Sequence, residues 1–152
     1  MAETTTRRNL IVVRGGDRSL HRVWMSDAAR SWDLCLSYYG DAETPCGGAF
    51  DYLHRFQGAK WPGLADFLLR NAEMWERYDY IWFPDDDLMT ESHMIDAMFS
   101  AARRHALDLC QPALTPYSFV THRITLQRTN CLCRITNFVE IMAPLFSARA
   151  LN

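Results

Sequence analysis

The sequence of 152 residues lacks the features that mark several specialised classes of protein. It has no apolar run of eighteen residues, and residues 1–8 contain no hydrophobic core of a signal peptide. Its formal net charge is only −2, so no strongly basic surface for nucleic acid is expected. No repeat or low-complexity tract is present. These absences predict a cytoplasmic protein that has no membrane span and binds no nucleic acid.

The five cysteines also lack the spacing of a zinc site or a redox motif. Cys131 and Cys133 are separated by one residue, and no second pair completes a set of four ligands. Cys35 and Cys110 fall in strand-like runs, which predicts buried thiols. Reduced thiols are consistent with the cytoplasm.

The most informative segment is an apolar run followed by three consecutive carboxylates. Aromatic and β-branched residues over 78–83 predict a buried strand, which Pro84 ends because proline cannot donate a ladder hydrogen bond. Asp85, Asp86 and Asp87 follow at once. At the carboxyl end of a buried strand they lie where open α/β sheets bind ligands. Crowded carboxylates repel one another, and a hard cation such as Mg²⁺ or Mn²⁺ relieves that repulsion.

Three consecutive aspartates also occur in other structural contexts. The simplest is an acidic turn that ends a strand and caps the next helix. An EF-hand loop beginning at Asp85 would need glycine at its sixth position, which is Thr90. A phosphatase of the haloacid dehalogenase type would have threonine at the fifth position, which is Met89. The Asp-x-Asp motif of nucleotide-sugar glycosyltransferases remains, in which a metal bridges protein carboxylates and a diphosphate.

The predicted elements alternate between strands and helices. This order favours an α/β fold with a mostly parallel sheet and helices on both faces. At this length a single domain is expected, over residues 9–152 after a flexible segment 1–8. The predicted strands are 9–13, 32–39, 51–57, 78–83, 109–114 and 137–146, and the predicted helices are 20–31, 60–76 and 91–105.

The end of the first predicted strand offers a second candidate site. Gly15 and Gly16 permit close approach of a ligand to the backbone, and Arg14 has the chemistry to meet a phosphate or a base edge. Taken without the aspartate motif, the two glycines favour a simple turn.

Four segments together resemble a known family. They are 59–61 (Ala-Lys-Trp), 78–88 with the aspartates, 111–114 (Gln-Pro-Ala-Leu) and 138–147 (Phe-Val-Glu-Ile-Met-Ala-Pro-Leu-Phe-Ser). On these segments the chain is similar to a plant and bacterial family of uncharacterised proteins once labelled lysine-ketoglutarate-reductase trans-splicing related, which looks like a branch of the GT-A glycosyltransferases. The first fifty residues match only loosely.

The resemblance implies roles for particular residues. Asp85 and Asp87 would form the Asp-x-Asp that holds Mn²⁺ or Mg²⁺, with Asp87 the direct ligand and Asp85 facing the ribose or the metal through water. Arg14, Gly15, Gly16, Lys60, Asp85 and Asp86 form the predicted nucleotide-sugar site, and His122 and Glu140 the predicted acceptor side. Plainer alternatives are a solvated lysine at a helix start, an ordinary sheet residue at 140, and a solvated basic face around 122.

The predicted function is the donor-binding part of a metal-dependent glycosyltransferase that uses a nucleoside-diphosphate sugar and an unknown acceptor. Relatives continue beyond the position of residue 152, so the resemblance implies a GT-A-like fold that is incomplete at its C-terminal side. The acceptor and catalytic part would be missing, and no catalytic residue is predicted. One alternative is a non-catalytic module that binds nucleotide or a partner, or self-associates through an unpaired sheet edge. A metal-dependent phosphohydrolase is another.

Overall fold

A computed structural model describes residues 7–152 as an α/β structure. The strands are β1 (Asn9–Gly15), β2 (Trp32–Tyr38), β3 (Tyr52–Arg55), β4 (Tyr80–Trp82), β5 (Leu109–Cys110) and β6 (Leu145–Ser147). The α-helices are α1 (His21–Trp24), α2 (Lys60–Arg70), α3 (Ala72–Trp75), α4 (Ser92–Arg104) and α5 (Ala148–Leu151). Short 3₁₀ turns span Pro45–Gly48 and Arg123–Thr125.

All six strands form one mixed sheet in the order β3-β2-β1-β4-β6-β5. Strand β1 pairs in parallel with β2 and β4, and β2 pairs in parallel with β3. Strand β6 is antiparallel to both of its neighbours, β4 and β5. The predicted α/β class with a mostly parallel sheet is therefore confirmed. Among residues 7–152 the sheet edges are β3 and β5.

Strand β1 is buried along its whole length, which explains its continuous apolar run. Successive side chains of a strand point to opposite faces of the sheet. Ile11 and Val13 accordingly belong to one core cluster, and Leu10 and Val12 to another. Residues of α1 and α4 join the first cluster, whereas residues of α2 and α3 join the second.

Two buried tryptophans, Trp24 and Trp82, anchor the segments before and after the three aspartates. Their rings pack with centroids 5.6 Å apart. The indole N–H of Trp24 donates to the Leu88 carbonyl at 2.9 Å, and that of Trp82 donates to the Ala143 carbonyl at 3.0 Å. The segments that flank the carboxylates are thus tied to the core.

Two predicted helices are shorter than the apolar pattern indicated. The helix expected over 20–31 is a single turn, because the Asp27 carboxylate accepts the Ala29 N–H at 2.8 Å and favours a local turn instead. The helix expected over 60–76 is interrupted at Asn71, whose side-chain amide donates to the Phe67 carbonyl at 2.9 Å. The helix expected over 91–105 is confirmed as Ser92–Arg104.

The last two predicted strands are also shorter than expected. Strand β5 covers only two residues of 109–114, and β6 begins at Leu145 rather than at residue 137. Pro144 precedes β6 and has no N–H for a ladder hydrogen bond, although its carbonyl accepts the Phe83 N–H at 2.9 Å. Glu140 therefore lies in an irregular segment, and its predicted place on a strand is wrong.

The predicted flexible segment 1–8 falls mostly outside the described residues. Of its two described members, Arg7 pairs with Asp33 at 2.8 Å and Arg8 pairs with Asp79 at 2.7 Å. Within residues 7–152, no helix is both long and apolar enough to cross a bilayer.

Candidate functional site

A cleft lies at the carboxyl ends of the parallel strands β1 and β4. An isolated parallel bridge joins Arg14, near the end of β1, to Asp85, just after β4. The cleft has a volume of about 320 Å³. Its lining residues are Arg14, Tyr39, Gly58, Ala59, Lys60, Asp85, Asp86 and Asp87. The structure thus brings together Arg14, Lys60 and the three aspartates, which were all predicted to bind the donor or the metal.

The order of the strands explains why the cleft forms here. From β1 the chain moves outward to β2 and β3, and then returns across the sheet to place β4 on the other side of β1. The loops that leave β1 and β4 therefore diverge and open a crevice between them. Such switch points are the usual ligand sites of open α/β sheets.

The three aspartates have different surroundings. Asp85 receives a hydrogen bond from the Lys60 ammonium at 2.6 Å. Asp86 accepts the N–H of Gly16 at 3.1 Å. Asp87 is exposed, and within residues 7–152 no hydrogen bond or ion pair involves its side chain. Asp87 is therefore the carboxylate that is free for an external ligand.

Lys60 connects the cleft to the irregular segment that precedes β6. It is the first residue of α2, and its ammonium also donates to the carbonyls of Ile141 at 2.8 Å and Met142 at 3.0 Å. All three of its N–H donors are used. Burial lowers the pKa of Lys60, and the neighbouring Asp85 carboxylate opposes that shift. Lys60 is therefore a cation that three hydrogen bonds fix in the cleft, rather than a solvated lysine at a helix start.

The turn after β1 and the turn after β4 are bonded to each other. Besides the bond from Gly16 to the Asp86 side chain, the Asp86 carbonyl accepts the Leu20 N–H at 2.7 Å. Burial raises the pKa of Asp86, and the negative charges of Asp87 and Asp85 raise it further. Asp86, whose raised pKa disfavours its ionised form, therefore lies between the carboxyl groups of Asp85 and Asp87.

Arg14 is 4% exposed, and most of its donors are used inside the protein. One terminal nitrogen donates to the carbonyl and hydroxyl of Ser37 at 3.0 and 3.1 Å. The other donates to the carbonyls of Phe56 at 3.1 Å and Gly58 at 2.5 Å. Its Nε is buried without a hydrogen-bond partner, beside the helix residue Gly63. Arg14 thus lines the cleft but has no terminal N–H left for a phosphate, because each of the four already has an acceptor.

A buried polar network supports Arg14 from behind. His54 on β3 links the Ser37 hydroxyl at 2.8 Å to the Asp66 carboxylate of α2 at 3.0 Å. These are the residue types of a hydrolytic triad, but Ser37 is completely buried and no substrate can reach it. The network therefore serves structure, and its members are too scattered in the sequence for a motif to reveal them.

Tyr39 is a cleft residue that the sequence prediction missed. It follows β2 directly and is 42% exposed. Its ring lies 5.4 Å from the Arg14 guanidinium carbon. Burial raises the pKa of the Tyr39 hydroxyl, and the Asp86 charge adds to this effect. No sequence signal distinguishes Tyr39 from the buried Tyr38 beside it except the alternation of the strand.

The two residues of the predicted acceptor side do not line the cleft. His122 is exposed, and its ring meets that of Phe138 edge-on at 4.7 Å. The backbone N–H of Glu140 donates to the Gln111 side chain at 2.5 Å. One Glu140 carboxylate oxygen is buried without a hydrogen-bond partner, directly before the Ile141 and Met142 carbonyls that Lys60 holds.

The donor set of the cleft fits a metal that is shared with a ligand. No group of three His, Cys, Asp or Glu side chains is arranged for a metal within the described part of the chain. Mg²⁺ is usually bound by one or two carboxylates, with phosphate oxygens and water completing its shell. Asp87 offers one such carboxylate without a partner among residues 7–152, whereas Asp85 is already bonded to Lys60.

A protein family matches residues 54–134, which is more than half of the chain. It is described as "Protein of unknown function (DUF707)", and the chain belongs to it. The matched range runs from the end of β3 through α2, β4 and α4, and so includes Lys60 and all three aspartates of the cleft. No curated protein matches the chain.

Proposed function

We propose that in this member of the DUF707 family the cleft binds the diphosphate of a nucleoside-diphosphate sugar together with Mn²⁺ or Mg²⁺. On this proposal the chain has a GT-A-like fold and supplies the donor-binding part of a glycosyltransferase. The observation that carries the proposal is Asp87, a carboxylate without a partner in the described structure, at the switch point of the sheet and beside the fixed cation Lys60.

The charges of the cleft explain why metal and diphosphate would bind together. Three carboxylates outnumber the two cationic side chains, Arg14 and Lys60. A diphosphate alone would meet a net negative cleft, whereas one divalent ion reverses the sign. A metal alone would find too few protein ligands. Each ligand therefore supplies what the other lacks.

The backbone around Lys60 is also suited to an anion. Gly58 and Ala59 line the cleft and lead into the N-terminus of α2, an eleven-residue helix. The first N–H groups of a helix have no partner within the helix and carry partial positive charge. A phosphate oxygen at this position would therefore be stabilised by the helix and by the positive charge of Lys60, whose three N–H donors already have acceptors.

The chemistry then follows from the placement of charge. A bound divalent ion would neutralise charge that develops on the leaving diphosphate. Asp87 would hold the ion, and Asp85 would keep Lys60 close to the same phosphates. The Gly16–Asp86 hydrogen bond would keep the two turns in register. The acceptor remains unknown, and His122 and Glu140 remain its predicted side.

Thermal unfolding with Mn²⁺ and a panel of nucleoside diphosphates tests the proposal. A ligand at a hundredfold excess over its dissociation constant stabilises the folded state by about 2.7 kcal/mol. We expect this stabilisation to require both metal and nucleotide, and to disappear in Asp87→Asn. Glu76→Gln, which replaces an exposed carboxylate outside the cleft, is the matched control. Equal stabilisation of Asp87→Asn and the parent chain would contradict the proposal.

A further inference from the structure

Tyr39 is an aromatic side chain in a cleft that is otherwise charged. It keeps 42% of its surface exposed, whereas the preceding Tyr38 is buried. The remaining lining consists of Arg14, Lys60, three aspartates, Gly58 and Ala59. Such a ring adds little to a metal-diphosphate site, because neither ligand has an apolar face. The ring is better suited to a flat, apolar part of a ligand.

The Tyr39 ring is fixed by its neighbours. A Cβ on Gly16 would lie 2.8 to 2.9 Å from two ring carbons and the hydroxyl oxygen of Tyr39, so this end of the side chain rests directly on the glycine backbone. The Arg14 guanidinium carbon lies 5.4 Å from the ring centroid on a side chain that is itself held by four hydrogen bonds. A ring that is held before the ligand arrives loses little conformational entropy on binding.

Phe56 adds to this support. Its ring centroid lies 5.6 Å from the same guanidinium carbon, so Arg14 has aromatic contacts with both Tyr39 and Phe56. The charge of Arg14 is thus used for cation–π contacts and for carbonyl oxygens rather than for a carboxylate. Arg14 acts as a positioning residue, and its contribution to the cleft passes through the ring of Tyr39.

We infer that Tyr39 is the platform on which the base of the bound nucleotide stacks. This inference rests on the proposed function, because it assigns the part of the ligand beyond the diphosphate. Aromatic stacking is tolerant of base identity, since every base has a flat π face. Tyr39 therefore increases affinity for nucleotides as a class and leaves the choice among bases to other groups.

The experiment compares two ligands in the presence of Mn²⁺ by titration calorimetry. A nucleoside diphosphate has a base, whereas inorganic pyrophosphate has none. We expect Tyr39→Leu to weaken nucleoside diphosphate binding about tenfold and to leave pyrophosphate binding unchanged. Tyr39→Phe is expected to retain both affinities. Tyr117→Leu, at a tyrosine that is 99% exposed outside the cleft, is the matched control and should change neither.

A second variant moves the ring without altering it. Gly16→Ala places a methyl group against Tyr39, and the backbone N–H that binds Asp86 is kept. It should selectively weaken binding of the nucleoside diphosphate, as Tyr39→Leu does. In the parent chain, NMR signals of the Tyr39 ring should shift with nucleoside diphosphate and not with pyrophosphate, a result that requires no variant to fold.

The possible failures are distinguishable. If Tyr39→Leu binds nucleoside diphosphate with the same affinity as the parent chain does, the base makes no contact with Tyr39. Only the inference is then overturned. If neither ligand binds with metal, the proposed function and the inference are both overturned.

Discussion

The aspartates at the two ends of the parallel strands differ in their ion-pair partners. At the amino ends, Asp33, Asp51 and Asp79 pair with arginines at 2.7 to 2.8 Å, and the partners are Arg7, Arg30 and Arg8. At the carboxyl ends, Asp85 alone of three consecutive aspartates forms an ion pair within residues 7–152, and its partner is Lys60. The amino-end charges are neutralised within the fold. Those at the carboxyl end are left for something outside it.

The amino-end carboxylates also satisfy buried polar groups. Asp33 accepts the hydroxyl of Tyr78 at 2.7 Å, and Asp51 accepts the Leu34 N–H at 2.8 Å. Asp79 receives a second arginine, Arg103, at 3.1 Å. These aspartates join strands and loops that are distant in sequence. The difference from Asp87 indicates that a carboxylate's partners, rather than its residue type, separate a stabilising role from a binding role.

The largest expected effect concerns the arginine at the carboxyl end. Arg14→Met would leave the carbonyls of Phe56, Gly58 and Ser37 without their donor, and we expect a loss of about 3 kcal/mol in the free energy of unfolding. Arg8→Met, at an ion pair whose arginine side chain is 67% exposed, should cost less than about 1 kcal/mol. Urea unfolding of both variants measures the difference. Equal losses of unfolding free energy in the two variants would show that the buried hydrogen bonds of Arg14 stabilise the fold no more than the exposed ion pair of Arg8 does.

A smaller effect is expected when a carboxylate is removed from each of the two ends. Asp33→Ala removes the acceptor of the buried Tyr78 hydroxyl and should cost about 2 kcal/mol of unfolding free energy. Asp87→Ala removes a side chain without partners in the described structure and should change stability by no more than about 0.5 kcal/mol. Urea midpoints of the two variants provide the comparison. A reversed order would contradict the division of roles between the two ends.

The smallest effect concerns the pH dependence of stability. The pKa of Asp86 is raised above its ordinary value of 3.8, so the folded state binds more protons than the unfolded state just above pH 3.8. The contribution of Asp86 to stability therefore falls as the pH rises from 3.8 through the raised value. Asp86→Asn keeps an acceptor for the Gly16 N–H and removes this titration.

Urea unfolding of the parent chain and of Asp86→Asn checks this expectation. The measurements run from about pH 3.5 to about pH 8, a range that begins near the ordinary carboxyl pKa. The variant should gain stability relative to the parent chain as the pH rises, and the gain should level off once Asp86 is ionised. A difference that is independent of pH would show that the Asp86 carboxyl titrates alike in the folded and unfolded states.

Much of the fold was predictable because its elements are local. The apolar runs of β1 and β2 and the periodicity of α4 indicated their positions to within two residues. The elements that were mispredicted depend on side chains that compete with the backbone. Asp27 ends α1 early, Asn71 divides α2 from α3, and Pro144 delays β6.

The candidate site divides in the same way. Asp85 to Asp87 and Lys60 were predicted and line the cleft. Tyr39 was missed because its exposure depends on how β2 ends relative to Gly16. Arg14 also lines the cleft, but its terminal donors are used by acceptors from residues 37, 56 and 58, which the sequence pattern does not indicate.

The sequence by itself determined that a buried strand would end in three aspartates, because hydrophobic periodicity and proline act over a few residues. Only the tertiary structure decided which aspartate has no partner among the described residues. Lys60 approaches Asp85 across 25 positions of sequence, and Gly16 approaches Asp86 across 70. Such pairings depend on the order of strands in the sheet, which places β1 beside β4 and brings the chemistry of both loops into one cleft.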